Sequence, residues 1–522
     1  GNAVASTAPA QNADPRAKLK FYALSISIGS IQLLELEIMN LQDISLFRQQ
    51  NLVAGEWIDA DDSATIDVDN PSTLSVVGTV PNCGSDETTR AISAAEVCFA
   101  AFKKTTAAHR GALLEKWFQL IMEAQDDLAT LMTLEQGKPF AEAKGEISYA
   151  ASFVKWFAEE GKRVYGETIP SPVQDRRILV QKQPVGVCAI ITPWNFPAAM
   201  ITRKIAPAPA AGCSVVIKPS EFTPFTALAL GVLAERAGFP AGAVNIVTGD
   251  PAGVGGALTG SPAVRKLSFT GSTRVGKMLM EQCSGTMKRL SLELGGNAPF
   301  IIFDDADLDL AVEGVMASKF RNGGQTCVCA NRIYVQAGVY DAFAKKLAAV
   351  VGGLKLGDGF EDGVEMGPMI NEAAITKIRS HLDDATSKGG RVLVGGEQSN
   401  EGPRFITPAV VTGATADMLV ADEETFGPVA PLFKFETEDE AVAAANATPF
   451  GLAAYFYTND LTRTFRVGED LEVGMIGINV GGFATEVAPF GGIKESGLGR
   501  EGAHHGIDEY LEVKTLHIGG IA

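Results

Sequence analysis

Apolar residues at Leu113, Trp117, Leu120, Ile121, Leu128, Leu131 and Met132 recur at steps of three and four, which predicts a long helix with one buried face. It ends before Gly137-Lys138-Pro139, where glycine and proline break the pattern. Ahead of it, short strand-like runs at residues 56–58 and 65–68 precede a turn at Asn70-Pro71. From residue 185 the pattern changes: apolar runs at residues 185–191, 215–217, 244–247, 266–270 and 290–294 alternate with helical stretches. Spacings of roughly 20 to 30 residues between such runs fit βαβ units and a parallel sheet. A second α/β unit follows from residue 304 to about residue 495. Within it a helical pattern at Leu308, Leu310, Ala311, Val315, Met316 and Phe320 stops at Gly323-Gly324, and Ile333-Tyr334-Val335 then reads as a strand. Residues 176–180 predict one arm of a hairpin, and the alternating run 510–518 predicts an edge strand that joins it. Residues 1–20 carry no core pattern and read as disordered. The more apolar stretch from Phe21 to Leu41 is interrupted by Gln32, Glu35, Glu37 and Asn40, which favours a surface helix or no fixed structure over a membrane span. Met39 is a candidate natural start.

With 46 % hydrophobic and 20 % charged residues over 522 positions, the chain reads as globular, with two or three domains. Its 44 basic and 62 acidic residues leave a net charge of −18, which repels nucleic acid and anionic membranes and makes neither an expected partner. An anionic substrate would need local cations to overcome that field. Seven cysteines, an odd number spread thinly, point to a reducing compartment rather than a disulfide scaffold.

Residues 321–332 read Arg-Asn-Gly-Gly-Gln-Thr-Cys-Val-Cys-Ala-Asn-Arg, with Cys327 on the turn between helix and strand. A thiol at such a junction faces a cleft, and its thiolate is a good nucleophile. A lone cysteine is by default a small buried hydrophobe, so Cys327 needs partners. Leu292-Glu293-Leu294-Gly295-Gly296 supplies a carboxylate inside an apolar strand, a costly place unless it moves protons. Pro193-Trp194-Asn195-Phe196-Pro197 supplies a neutral amide donor at the end of an apolar run. Nucleophile, general base and amide donor together suit acyl chemistry. No metal site is expected, since Cys327 and Cys329 lack two further ligands at zinc spacing. No Gly-x-Gly-x-x-Gly opens a βαβ unit as the dinucleotide fingerprint requires: its one match, Gly497-Leu498-Gly499-Arg500-Glu501-Gly502, lies past the α/β units, so the standard fingerprint fails. Phe269-Thr270-Gly271-Ser272-Thr273, a strand end, tight turn and helix start, could hold a pyrophosphate, although a plain structural turn has the same look. Lys218 and Glu221, past another strand end, suit the hydroxyls of a ribose.

These stretches, with Lys218-Pro219-Ser220-Glu221, Gly324-Gln325-Thr326-Cys327, Glu424-Thr425-Phe426-Gly427-Pro428 and Pro489-Phe490-Gly491-Gly492, resemble the NAD(P)-dependent aldehyde dehydrogenases, and within that family those acting on succinate semialdehyde. Seven motifs in family order make coincidence implausible. The resemblance implies an α/β fold of two Rossmann-like open parallel-sheet domains plus a small β oligomerisation arm. It divides the chain into an extension (1–50), an NAD-binding domain (51–164 and 185–295), the arm (165–184 and 505–522) and a catalytic domain (296–504). It implies NAD, preferred because Glu221 would repel a 2′-phosphate, or NADP. Cofactor contacts are expected from Thr192, Pro193, Trp194, Lys218, Ser220, Glu221, Gly249, Gly253, Phe269, Gly271, Ser272, Leu294, Glu424 and Phe426.

The implied chemistry starts with attack of the Cys327 thiolate on an aldehyde, its oxyanion held by Asn195 and the Cys327 amide. Hydride loss leaves a thioester, which water activated by Glu293 hydrolyses. Lys204 and Glu501 match positions near that proton path. Arg203 and Arg321 match residues that grip a substrate's far carboxylate, where an arginine fork suits. Each could equally pair with a nearby acid. The loop before Pro489 departs from the family: it reads Gly481-Gly482-Phe483-Ala484-Thr485, so Thr485 would have to replace a serine, and glutarate semialdehyde or a sulfonated aldehyde stays open. Cys329 could pair with Cys327 in a redox switch or be a bystander. A homodimer or homotetramer in the cytoplasm, or the mitochondrial matrix of a eukaryote, completes the expectation. The rivals are a cofactor-free cysteine hydrolase and a retired scaffold.

Overall fold

The computed structural model describes residues 40–521. The expectations for residues 1–39 lie outside the described residues. Two sheets form the body. The first has eight strands in the order Glu56–Ile58, Asn51–Val53, Val244–Ile246, Ser214–Lys218, Val187–Ile191, Val264–Thr270, Arg289–Glu293 and Gly497–Leu498. Its five central strands run parallel, with antiparallel pairs at both edges. The second has seven: Arg391–Val394, Ala409–Ala414, Val429–Phe435, Ala330–Gln336, Ala298–Ile302, Ala453–Tyr457 and Met475–Ile478. All of its neighbours pair in parallel except the first two.

Both sheets are covered on two faces, which explains why their strands read as unbroken apolar runs rather than alternating ones. Cys188 and Ile190 face one core while Val187 and Ala189 face another. In the second sheet Phe300 and Ile302 part from Ile301 and Phe303 in the same way. Ligands of such sheets bind beyond the carboxyl ends of the strands, and the chemical motifs sit there.

The long helix predicted over residues 113–132 is two, Ala107–Glu123 and Gln125–Gln136, joined at Ala124. The apolar spacing is unaffected because both pack Trp117, Ile121, Leu128 and Leu131 into one core. The run predicted at residues 185–191 begins at Val187, because Gly186 turns the chain at φ +135° and separates it from Arg177–Pro184. That preceding strand pairs with Leu511–Ile518 from Pro184↔Leu511 to Arg177↔Ile518, and Glu167–Ile169 completes a three-stranded arm. Gly497–Leu498, which the sequence reading places with the second domain, pairs instead with Leu292 and Glu293 of the first sheet.

Candidate active site

The helix that leads to Cys327 does not end simply. Leu308–Val315 is α-helical, Met316–Phe320 widens into a π-turn, and Asn322 (φ 52°), Gly323 (φ 61°) and Gly324 (φ 76°) are all left-handed. Gly324 is required twice over: besides its φ, a Cβ there would lie 2.4 Å from the Gly427 carbonyl oxygen. The chain then turns through Thr326 to Cys329, whose N–H donates to the Thr326 carbonyl (3.0 Å), and enters the strand Ala330–Gln336. Cys327 is half-buried and lines a cavity of ≈ 230 Å³ with Pro193, Trp194, Asn195, Met200, Thr270, Gly271, Ser272, Leu294, Gly295, Glu424 and Phe426.

Asn195, 4 % exposed, donates one N–H of its amide to the Gln325 carbonyl (2.9 Å). Its second N–H and the Cys327 main-chain N–H have no other partner among the described residues. Beneath it, Lys138 and Glu146 form a fully buried ion pair; Lys138 also donates to the Asn195 carbonyl (2.9 Å), and Glu146 accepts from the Ala198 and Ala199 amides. Asn322 donates to the same Asn195 carbonyl (2.9 Å). The amide donor is thus fixed from the Cys327 loop, from Lys138 in the break between two helices and from Glu146 on the helix Phe140–Glu160.

Glu293, 4 % exposed, closes the strand Arg289–Glu293, and one carboxylate oxygen has no partner. Burial, with Glu501 second, pushes its carboxyl well above the usual range. It does not line the Cys327 cavity; a Cβ placed on Gly491 would lie 2.9 Å from its Oε1. Burial, reinforced by Glu424, pushes the Cys327 thiol up to about 12, with Arg203 opposing, so the attacking thiolate is not the form this environment favours.

The expected cofactor residues fall into two groups. Pro193, Trp194, Gly271, Ser272, Leu294, Glu424 and Phe426 meet at the cavity. Trp194 and Phe426 are edge-to-face at 5.6 Å, and Glu424 accepts the Gly296 N–H (3.3 Å) while burial raises its carboxyl to about 7. Ser272 caps the helix Thr273–Ser284 (Oγ to the Val275 N–H, 3.4 Å), and buried Thr192 and Thr270 hydroxyls lack partners. Unpaired hydroxyls, a helix start and flanking aromatic rings fit a dinucleotide. Phe269 is buried in its strand. Thr192, Lys218, Ser220 and Glu221 stand on neighbouring strand ends outside the cavity, with Lys218 paired to Glu221 (3.2 Å) and Ser220 accepting the Phe222 N–H. Gly249 packs on Cys83, and the Gly253 N–H is taken by the Asp250 carboxylate (2.6 Å); neither lines the cavity.

Of the substrate candidates, Arg203 is buried between Phe490 (4.1 Å) and Phe153 (5.1 Å) and pairs with Glu501 (3.0 Å), which also holds Lys204. One carboxylate thus serves two cations. Arg321 is exposed, stands 4.9 Å over the Phe196 ring and has no ion-pair partner among the described residues. The Thr485 hydroxyl donates to Glu486 (3.0 Å), and Phe483 packs on Tyr455 (5.2 Å). Cys329 is buried with its thiol toward the Lys319 carbonyl (3.6 Å), and all seven cysteines are free. Sequence reasoning missed Met200, Lys138 and Glu146, and named Thr270 and Gly295 only as members of their motifs. No sequence signal marked Lys138 or Glu146, because Lys138 sits in the break at residues 137–139 and Glu146 inside the next helix.

The aldehyde dehydrogenase family pattern matches residues 57–516. The chain is 60 % identical over 481 residues to the NADP(+) succinate-semialdehyde dehydrogenase GabD of Escherichia coli, covering 92 % of this chain and 100 % of that protein. It is 60 % identical over 480 residues to a glutarate-semialdehyde dehydrogenase of Pseudomonas putida, covering 92 % and 100 %. A 3-sulfolactaldehyde dehydrogenase of Pseudomonas putida is 58 % identical over 484 residues, covering 93 % and 100 %. Among solved structures, an aldehyde dehydrogenase from Brucella melitensis superposes with TM-score 0.91 at 60 % identity, covering 92 % of this chain and 99 % of that one. Betaine aldehyde dehydrogenase from Staphylococcus aureus in complex with NAD+ does so with TM-score 0.90 at 36 % identity, covering 94 % and 98 %.

Proposed function

The chain belongs to the aldehyde dehydrogenase family, and from that premise we propose that it oxidises a short aldehyde bearing a distal anion, succinate semialdehyde foremost. The supporting observation is Arg321, a cation with no ion-pair partner among the described residues, held over Phe196 on the loop that carries Cys327. In a chain of net charge −18 such a group is where a carboxylate would settle. Arg203 contributes through the surplus positive charge it shares with Lys204 around Glu501. The committed Thr485 hydroxyl and the Phe483–Tyr455 contact favour a second reading, in which glutarate semialdehyde or a sulfonated aldehyde is taken equally well.

Cys327 attacks the aldehyde carbon after losing its proton, and the oxygen that becomes anionic meets the free Asn195 N–H and the Cys327 amide. A bound nicotinamide dinucleotide supplies the hydride acceptor. Trp194, Glu424 and Phe426 would hold its nicotinamide end, and Ser272 with the helix start its phosphates. Glu293, once ionised, takes a proton from the water that hydrolyses the thioester, and the Lys204–Glu501 pair stands ready to pass that proton on. Glu221, paired with Lys218 (3.2 Å) at a strand end, supports NAD over NADP, because its carboxylate would repel a 2′-phosphate placed beside it. The exposed arm supports assembly into a homodimer or homotetramer.

The test is a panel of aldehydes with and without a terminal carboxylate, run with both dinucleotides and read by absorbance of the reduced nicotinamide. Arg321→Ala should raise KM for succinate semialdehyde about 10- to 100-fold, as loss of a charge-assisted hydrogen bond implies. It should leave an uncharged aldehyde of equal length unaffected. Equal effects on both would sink the anionic-substrate reading.

A further inference from the structure

His381 lies on the helix Glu372–Ser387, is 1 % exposed and does not line the Cys327 cavity. Both of its ring nitrogens are engaged with the loop that carries Glu424. Nδ1 is 3.0 Å from the Thr425 hydroxyl, and Nε2 is 3.3 Å from a Glu423 carboxylate oxygen. A carboxylate oxygen only accepts, so Nε2 carries the proton, Nδ1 accepts, and the Thr425 hydroxyl donates to it. The charged groups around the ring agree with a neutral imidazole. Burial lowers its pKa below the ordinary value and Lys377 and Lys319 push the same way, against the opposing pull of Glu423.

The loop's other flank is held by Asn331, two residues past Cys329. Its Oδ1 accepts the Thr425 N–H (3.0 Å), and its Nδ2 donates to the Glu423 carbonyl (2.9 Å). Between these two clamps Glu424 and Phe426 reach the cavity. Phe426 does so at φ 54°, a left-handed conformation that a bulky residue keeps only where its surroundings impose it. The Asn331 side ties the loop to the Cys327 strand. The His381 side ties it to a helix that supplies no group to the chemistry, so positioning the loop accounts for an otherwise unexplained buried histidine.

We propose that His381 is a positioning residue for dinucleotide binding, clamping Thr425 and Glu423 so that the Glu424 carboxylate and the Phe426 ring stand where the nicotinamide end would lie. The inference rests on the reading of Glu424 and Phe426 as cofactor contacts. Fluorescence titration with NADH tests it on the full-length protein and on His381→Leu, His381→Gln, Thr425→Val and Phe426→Ala. His381→Leu should weaken NADH about tenfold, the loss of one well-made hydrogen bond. Glutamine, with a donor and an acceptor, should restore binding to within about threefold. Thr425→Val should weaken binding similarly and add little on top of His381→Leu, because the two changes delete the same bond. In steady state the loss should fall mainly on KM for the dinucleotide rather than on kcat. Undiminished NADH binding in His381→Leu, a glutamine variant as weak as leucine, or an additive double variant would each overturn the proposal. Undiminished binding in Phe426→Ala would instead overturn the cofactor reading of the loop.

Discussion

Cys327 rests as a thiol, and after burial the neighbour that most holds it there is Glu424. The pair has a measurable signature. In cofactor-free protein, iodoacetamide should modify Cys327 slowly near neutrality, the rate climbing as pH rises toward about 12. Glu424→Gln removes the negative neighbour and should shift that curve to lower pH. A curve that stays put would mean burial alone sets the thiol. Cys327, Glu293 and Asn195 were legible in the sequence because each sits in a short motif whose local pattern is odd: a thiol after paired glycines, a carboxylate in an apolar strand, an amide between prolines. Lys138, Glu146 and His381 were not, because what makes each one matter comes from a segment far along the chain. The protonation state of the thiol was equally hidden, since it depends on burial that only the packed structure creates.

At the scale of elements, the turn after Phe320 is tightly constrained, with three successive left-handed residues. Gly324→Ala would put a methyl group 2.4 Å from the Gly427 carbonyl oxygen at φ 76°. The left-handed conformation alone costs about 1–2 kcal/mol. Chemical denaturation should show at least that loss, and turnover should fall much further because Cys327 moves with the turn. Wild-type turnover with only the stability loss would show that the loop relaxes without displacing the thiol. The glycines and the helix stop were readable from sequence, whereas the π-turn of Met316–Phe320 was not. Its residues keep a helical apolar spacing, and a single extra residue in a turn leaves little trace in periodicity. The division of one predicted helix at Ala124 escaped for the same reason, since both halves bury their apolar side in one core.

For the whole molecule, the parallel sheets followed from runs spaced as βαβ units, and the final strand's place on the arm followed from its alternation. What covers the arm's outer face is a matter for assembly. Val513 is 68 % exposed, Tyr165 72 % and Ile518 43 %, an apolar face suited to the assembly proposed above. Light scattering should find a dimer or tetramer, and Val513→Glu should shift it toward smaller species. An unshifted mass would clear the arm of that role. The strand exchange at Gly497–Leu498 bears on how the protein is made. This short segment hydrogen-bonds to Leu292 and Glu293, yet it leaves the ribosome only after the entire second sheet has been translated. A nascent chain can therefore pair the five parallel strands of the first sheet early, while the outer border of the Glu293 strand stays open until synthesis is almost over.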